Sequence, residues 1–183
     1  MPILCFSPLT TRYAVIRMDP VGTVERYDYS DIREAAKGIQ AKAYLVYLRN
    51  NHNLPIPGRP WHAFEVALLA TSLPPIDEEE GITQDMCAPI FPNTTHPTGR
   101  EPLNTDPVFP YDNCYHWSDD AVRMDVRVRA RPEKFDDDMA TKLTSESQSK
   151  LRRYTAQDVA RMNAACVEPP EGMSDIDGFA AWL

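Results

Sequence analysis

Residues 74–120, PPIDEEEGITQDMCAPIFPNTTHPTGREPLNTDPVFPYDNCYHWSDD, hold eight of the seventeen prolines, and the reading of this stretch decides the fold. Proline fixes φ and removes a backbone donor, so no helix or strand longer than a few residues runs through it. Irregular stretches of this length in a compact domain are either functional or disordered. Composition argues for order. Cys87, Ile90, Phe91, Val108, Phe109, Tyr111, Cys114, Tyr115, His116 and Trp117 carry enough buriable surface to offset the entropy of fixing the chain. We therefore expect a long ordered cover wrapped over a scaffold.

The scaffold is read outward from the cover. Immediately after it, Val122, Met124, Val126, Val128 and Ala130 alternate with Arg123, Asp125, Arg127, Arg129 and Arg131, the pattern of a strand with one face inward. Before it, Trp61 to Leu73 is apolar almost throughout, and periodicity alone does not choose strand or helix. We expect a central strand around Phe64 to Ala70.

Nearer the start, Ile3 to Phe6 and Arg12 to Met18 have strand character. Asp19, Pro20, Val21 and Gly22 form a turn signal, from which Thr23 to Tyr29 is expected to return as a hairpin strand. Ile32, Ala35, Ala36, Ile39, Ala43, Val46 and Tyr47 recur at helical spacing behind Ser30, predicting a helix from there to about Asn50. Beyond the arginine strand, Pro132 and Glu133 signal a helix lined by Phe135, Met139 and Leu143. Thr155 signals another, with Val159 and Met162 turned inward, and the serine-rich run Thr144 to Lys150 is either a loop or a solvated continuation of it. Residues 168–183 close with an apolar tail expected to dock. These elements predict one α+β domain spanning 1–183, with an antiparallel or mixed sheet and helices mainly on one face.

The chain has 183 residues, enough to bury roughly 70% of its unfolded surface without disulfides or a metal. No apolar run spans a bilayer, and Met1 to Leu9 lacks the features of a secretory signal, so no membrane association and a cytoplasmic setting are expected. Cys5, Cys87, Cys114 and Cys166 are widely spaced, as buried thiols of a reducing compartment would be. The Asn93 to Thr95 sequon is read as accidental in that setting.

The formal charge of −8 is unevenly spread: residues 1–73 carry +2, the cover −9, residues 121–131 +3, and the remainder −4. A surface of this sign repels nucleic acid at long range. A protein partner or self-association is the expected contact.

Three chemistries compete for the site. His116, Asp119 and Asp120 offer an acid–base or metal group at the end of the cover, and His62 with Glu65 a second one if their segment is helical. Cys87, Cys114 and His116, with His96, are the residue types of a zinc site, at spacings unlike those of zinc fingers. Arg123, Arg127, Arg129 and Arg131 form a stripe suited to carboxylates or phosphates, or to the acids of the cover itself. Phosphate-binding loops and nucleophile elbows are missing from the sequence, and no cofactor is implied.

The reading that follows is a non-catalytic interaction or assembly protein, such as one subunit of a larger homo- or hetero-oligomer. Its recognition surface would be Phe109, Tyr111, Tyr115 and Trp117 of the cover with Phe179 and Trp182 of the tail, because Tyr and Trp bury large areas with few rotors. The alternative is a small metal-dependent or acid–base enzyme, or a small-ligand carrier, with its pocket between cover and sheet.

Overall fold

The computed structural model describes residues 4–5, 7–25, 27–54, 56, 59, 61–118, 123–129, 135–136 and 139–166. In chain order its elements are β1 (Leu4–Cys5), β2 (Tyr13–Arg17), α1 (Pro20–Val24), α2 (Ser30–Lys37), β3 (Ala43–Asn51), β4 (Trp61–Leu68), β5 (Cys87–Pro89), β6 (Thr105–Asp106), β7 (Tyr115–Trp117), β8 (Arg123–Arg129), β9 (Phe135–Asp136), β10 (Lys142–Leu143) and α3 (Ser145–Cys166). The architecture is α+β. Its centre is an antiparallel sheet in the order β2-β3-β4-β8, and three antiparallel two-stranded ladders, β1-β9, β10-β6 and β5-β7, surround it.

The central sheet buries side chains on both faces. On one face Val46, Leu48, Phe64 and Val66 are almost wholly buried, with Ala14, Ile16, Leu68, Val126 and Val128 packed around them. Each such side chain contributes about 1.5–3 kcal/mol by leaving water. On the other face Tyr13 and Tyr47, opposed in the β2–β3 register, meet the cover. There Ala88, Ile90, Leu103, Phe109, Cys114, Leu143 and Tyr154 complete a second core, which ties sheet, cover, β10 and α3 together.

Four expectations are corrected. The helix foreseen from Ser30 to Asn50 stops at Lys37, where Gly38 donates its N–H to the Ala35 carbonyl (3.1 Å), and residues 43–51 become β3. Tyr44, Val46 and Leu48 serve one face while Leu45 and Tyr47 serve the other, so a strand buried on both sides imitates helical spacing. The turn signal at residues 19–22 is a helix start: Asp19 is the N-cap, its side chain accepts from the Gly22 N–H (2.9 Å), and Pro20 takes the first helical position. The strand expected at Thr23 to Tyr29 does not form, and β2 takes β3 as its partner instead.

Phe135 and Leu143 lie in β9 and β10 rather than on a helix, with Met139 in the turn between them. The last helix begins ten residues before Thr155. Thr144 accepts the Ser147 N–H on its hydroxyl (3.2 Å), and the serine-rich run is the first two turns of α3. Among the described residues no helix is long and apolar enough to cross a membrane.

Candidate functional site

The cover's polar side chains are spent on holding its own shape. His96 Nδ1 accepts the backbone N–H groups of Thr98 (3.2 Å) and Arg100 (3.1 Å), which leaves the proton on Nε2 to be shared between the carbonyls of Asp85 and Cys87 (3.1 Å each). Arg100 is thereby aimed at α3. It forms a two-pronged hydrogen bond with the wholly buried Asp158 carboxylate, gives a further bond to the Cys87 carbonyl (3.0 Å), and lies 5.0 Å from the Tyr154 ring centre. The Ser118 hydroxyl donates to the same carboxylate (2.5 Å). One helical turn on, Arg161 grips Asp85 through both carboxylate oxygens (2.8 and 3.2 Å) and also reaches Thr83 (3.1 Å). Those bonds hold the Asp85 carboxyl well below the usual carboxylate range against the opposing effect of its burial.

His116 sits deeper. Its Nε2 shares a 2.8 Å hydrogen bond with the Tyr13 hydroxyl, and its ring meets Tyr47 edge-on at 5.1 Å. Burial, reinforced by the charge of Arg49, pushes its pKa down to about 3. Burial likewise raises Tyr13 well above the ordinary phenol value, with Tyr47 and Cys114 adding to the shift. At neutral pH both partners are uncharged. A general base needs a pKa near the working pH, so this pair is matched to packing rather than to proton transfer. Asp119 and Asp120, the acids foreseen beside His116, lie outside the described residues.

The metal alternative does not assemble. Cys87 pairs with Trp117 and Ala88 with His116 in the β5–β7 ladder, so Cys87 and His116 project to opposite faces. The Cys87 thiol is pushed up to about 12 by burial despite the nearby Arg100, and burial raises Cys114 too. Among the described residues no group of three His, Cys, Asp or Glu side chains converges as metal ligands. His62 and Glu65 lie on β4 and face opposite sides; Glu65 is bound by Arg49 (2.7 Å) and Asn50 (2.8 Å).

The aromatic residues foreseen as a contact surface divide. Phe109 and Tyr115 are buried in the core, and the partly covered Trp117 donates its indole N–H to the Ser72 carbonyl (2.8 Å). Tyr111 alone of the four is exposed, at 49%, with its ring against Phe109. A proline-rich segment needs a core of its own, and its aromatics supply that core. Phe179, Trp182 and the rest of 168–183 lie outside the described residues, as does Arg131. Arg123, Arg127 and Arg129 fall on β8 opposite Ala67, Ala63 and Trp61, and the exposed Arg127 rests its guanidinium over the Trp61 ring (5.6 Å).

Exposed apolar surface gathers elsewhere. The connection between β2 and β3 is a helical excursion in which α1 and α2 pack on each other, and Ala36 is the buried member of α2. Val21, Tyr27, Tyr29, Ile32 and Ile39 remain 41 to 60% exposed, and at the two ends of the excursion Val15, Met18 and Tyr44 are exposed as well, Val15 and Tyr44 on opposite faces of the sheet. An eight-residue helix is marginal in water and relies on packing of its apolar face. Large apolar side chains exposed together in one connection are candidates for a contact site. The sequence hid these residues, because Ile32 and Ile39 fit a longer helix buried along one side, and Val21, Tyr27 and Tyr29 fit a turn and a returning strand. Comparison with protein-family models, curated proteins and solved structures gave no match.

Proposed function

We propose that the protein is a non-catalytic interaction or assembly protein whose contact face is the β2–β3 excursion, residues 15–44. The observation that carries this reading is the set of large apolar side chains left exposed on two short helices, Val21 and Ile32, and in the segments beside them, Tyr27, Tyr29 and Ile39, where Ala36 is the one buried residue of either helix. Charge supports it. Residues 15–44 contain five basic and five acidic side chains, so this face is neutral while the rest of the chain bears the whole −8. A protein surface can approach it without long-range repulsion. The buried His116 and Cys87 add support, since burial lowers the pKa of the first and raises that of the second, keeping both uncharged near neutral pH. A cytoplasmic setting, with reduced thiols at Cys87, Cys114 and Cys166, accompanies the reading.

A native mass spectrum of the purified chain tests it. The expected species are the polypeptide and its assemblies, with no added mass of a metal or small molecule. A stoichiometric metal or organic ligand retained by the folded chain would overturn the reading in favour of an enzyme or carrier.

A further inference from the structure

We propose that the partner is a second copy of this chain, joined edge to edge through β2 about a two-fold axis at Ile16. This rests on the contact face assigned above and names what covers it.

The two ends of the central sheet differ. β8 carries three arginines and an aspartate in seven residues, the kind of charge density that keeps an edge from pairing. β2, of sequence YAVIR, has no such protection. Its outward backbone groups belong to Tyr13, Val15 and Arg17, because Arg12 faces β3 through its carbonyl (2.8 Å to Leu48 N) and the Tyr13 N–H turns away to Thr141 (2.9 Å). Beyond Tyr13 the edge is open: the outward N–H and C=O groups of Val15 and Arg17 have no partner among the described residues.

Two open residues define the register. Pairing Val15 with Arg17 of a second copy, and the reverse, satisfies all four outward groups on each strand. It sets Ile16 opposite Ile16 in the close, non-hydrogen-bonded position. Val15 against Val15 would drive Arg17 into the position that Thr141 closes at Tyr13, and Arg17 against Arg17 would oppose like charges. In the chosen register Met18 lies opposite Ala14 of the copy, and the copied strand can leave at Asp19 because α1 begins at Pro20. Val15 and Met18, exposed at 65% and 51%, are the apolar side chains at this seam. A pair of short strands alone is smaller than the roughly 800 Å² per partner of a standard interface, so the neighbouring excursion must contribute. Its charge balance permits that between identical chains. The product is one eight-stranded sheet with closed two-fold symmetry.

The test is sedimentation equilibrium of the full chain from about 1 to 100 μM, a range that brackets common dimer affinities. It compares the parent with Val15→Pro, which removes an outward N–H while sparing the ladder to β3, and with Ile32→Asp/Ile39→Asp. Circular dichroism checks each fold. Ile16→Cys, with Cys5 and Cys166 replaced by serine, supplies a register test that does not depend on the proline variant folding. The expected result is a dimer, weakened at least tenfold by Val15→Pro, and a covalent dimer from Ile16→Cys on mild oxidation. A dimer that ignores Val15→Pro and fails to cross-link, yet is broken by Ile32→Asp/Ile39→Asp, overturns the β2 seam and leaves the contact face standing. A monomer throughout overturns the second copy. In that case binding of an apolar fluorescent dye, abolished by Ile32→Asp/Ile39→Asp, keeps the contact face for a different protein, and no such binding overturns both.

Discussion

Asp158 on α3 and Arg100 in the cover are separated by 58 residues and meet fork to fork, with the carboxylate wholly buried and the guanidinium nearly so. This is the main polar tie between the last helix and the proline-rich segment. Ser118 and the Cys87 carbonyl, which also bond to this pair, come from the cover as well, while Arg161 of α3 stands 3.7 Å from the same carboxylate.

Breaking that pair from one side leaves a buried charge without its partner. Arg100→Met is therefore expected to lower unfolding free energy by about 3–5 kcal/mol, and Asp158→Leu by a similar amount. The double variant Arg100→Met/Asp158→Leu should lose less than the sum, since it removes both charges together. Urea unfolding of the three variants measures this. Single losses under about 1 kcal/mol would show that the pair does not hold the cover to α3.

His116 predicts acid sensitivity of a definite sign. Its folded pKa of about 3 lies below the unfolded value of 6.5, so between those values the unfolded chain binds a proton that the native core refuses. The contribution is complete above pH 6.5 and is lost as pH falls. At pH 5 that loss is about 2 kcal/mol relative to pH 7.5. His116→Gln does not titrate and can still bond Tyr13, so its stability difference between pH 7.5 and 5 should be smaller than the parent's by that amount. Equal pH dependence in both proteins would refute the buried neutral imidazole.

How much of this was legible in the sequence depends on whether the informative contact is local. The alternation in residues 122–130 is a local signal, and β8 follows it. Residues 43–48 misled because a strand buried on both faces has no alternation, and Gly38 was the available stop signal that the helical spacing outweighed. The Tyr13–His116 and Arg100–Asp158 contacts span 103 and 58 residues, and no spacing rule reaches that far. Serine-rich composition hid the start of α3, where Ser147 faces inward and bonds the backbone N–H of Asn104 (2.7 Å).

The cysteines should differ sharply in reactivity. Cys166 is exposed, whereas Cys87 and Cys114 are buried with raised thiol pKa values, and the thiolate is the reacting form. Iodoacetamide treatment of the native chain at pH 8, followed by peptide mass mapping, should label Cys166 within minutes and spare Cys87 and Cys114 until denaturant is added. Rapid native labelling of Cys87 would mean that the cover opens readily and that its thiol is not held under Arg100 and the β5–β7 ladder.

Gly81 marks where the C-terminal end of α3 presses on the start of the cover. Its φ is +67°, a conformation that side-chain-bearing residues rarely adopt, and a Cβ built there would stand 2.6 Å from the Ala165 Cβ. Two penalties therefore coincide at one position. Gly81→Ala is expected to cost about 1–3 kcal/mol from backbone strain and overpacking together. Ala165→Gly removes the obstructing atom but not the strain, so it should restore part of the loss when combined with Gly81→Ala. Thermal unfolding of the three variants separates the two causes: full rescue would assign the cost to the clash, and no rescue to the backbone alone.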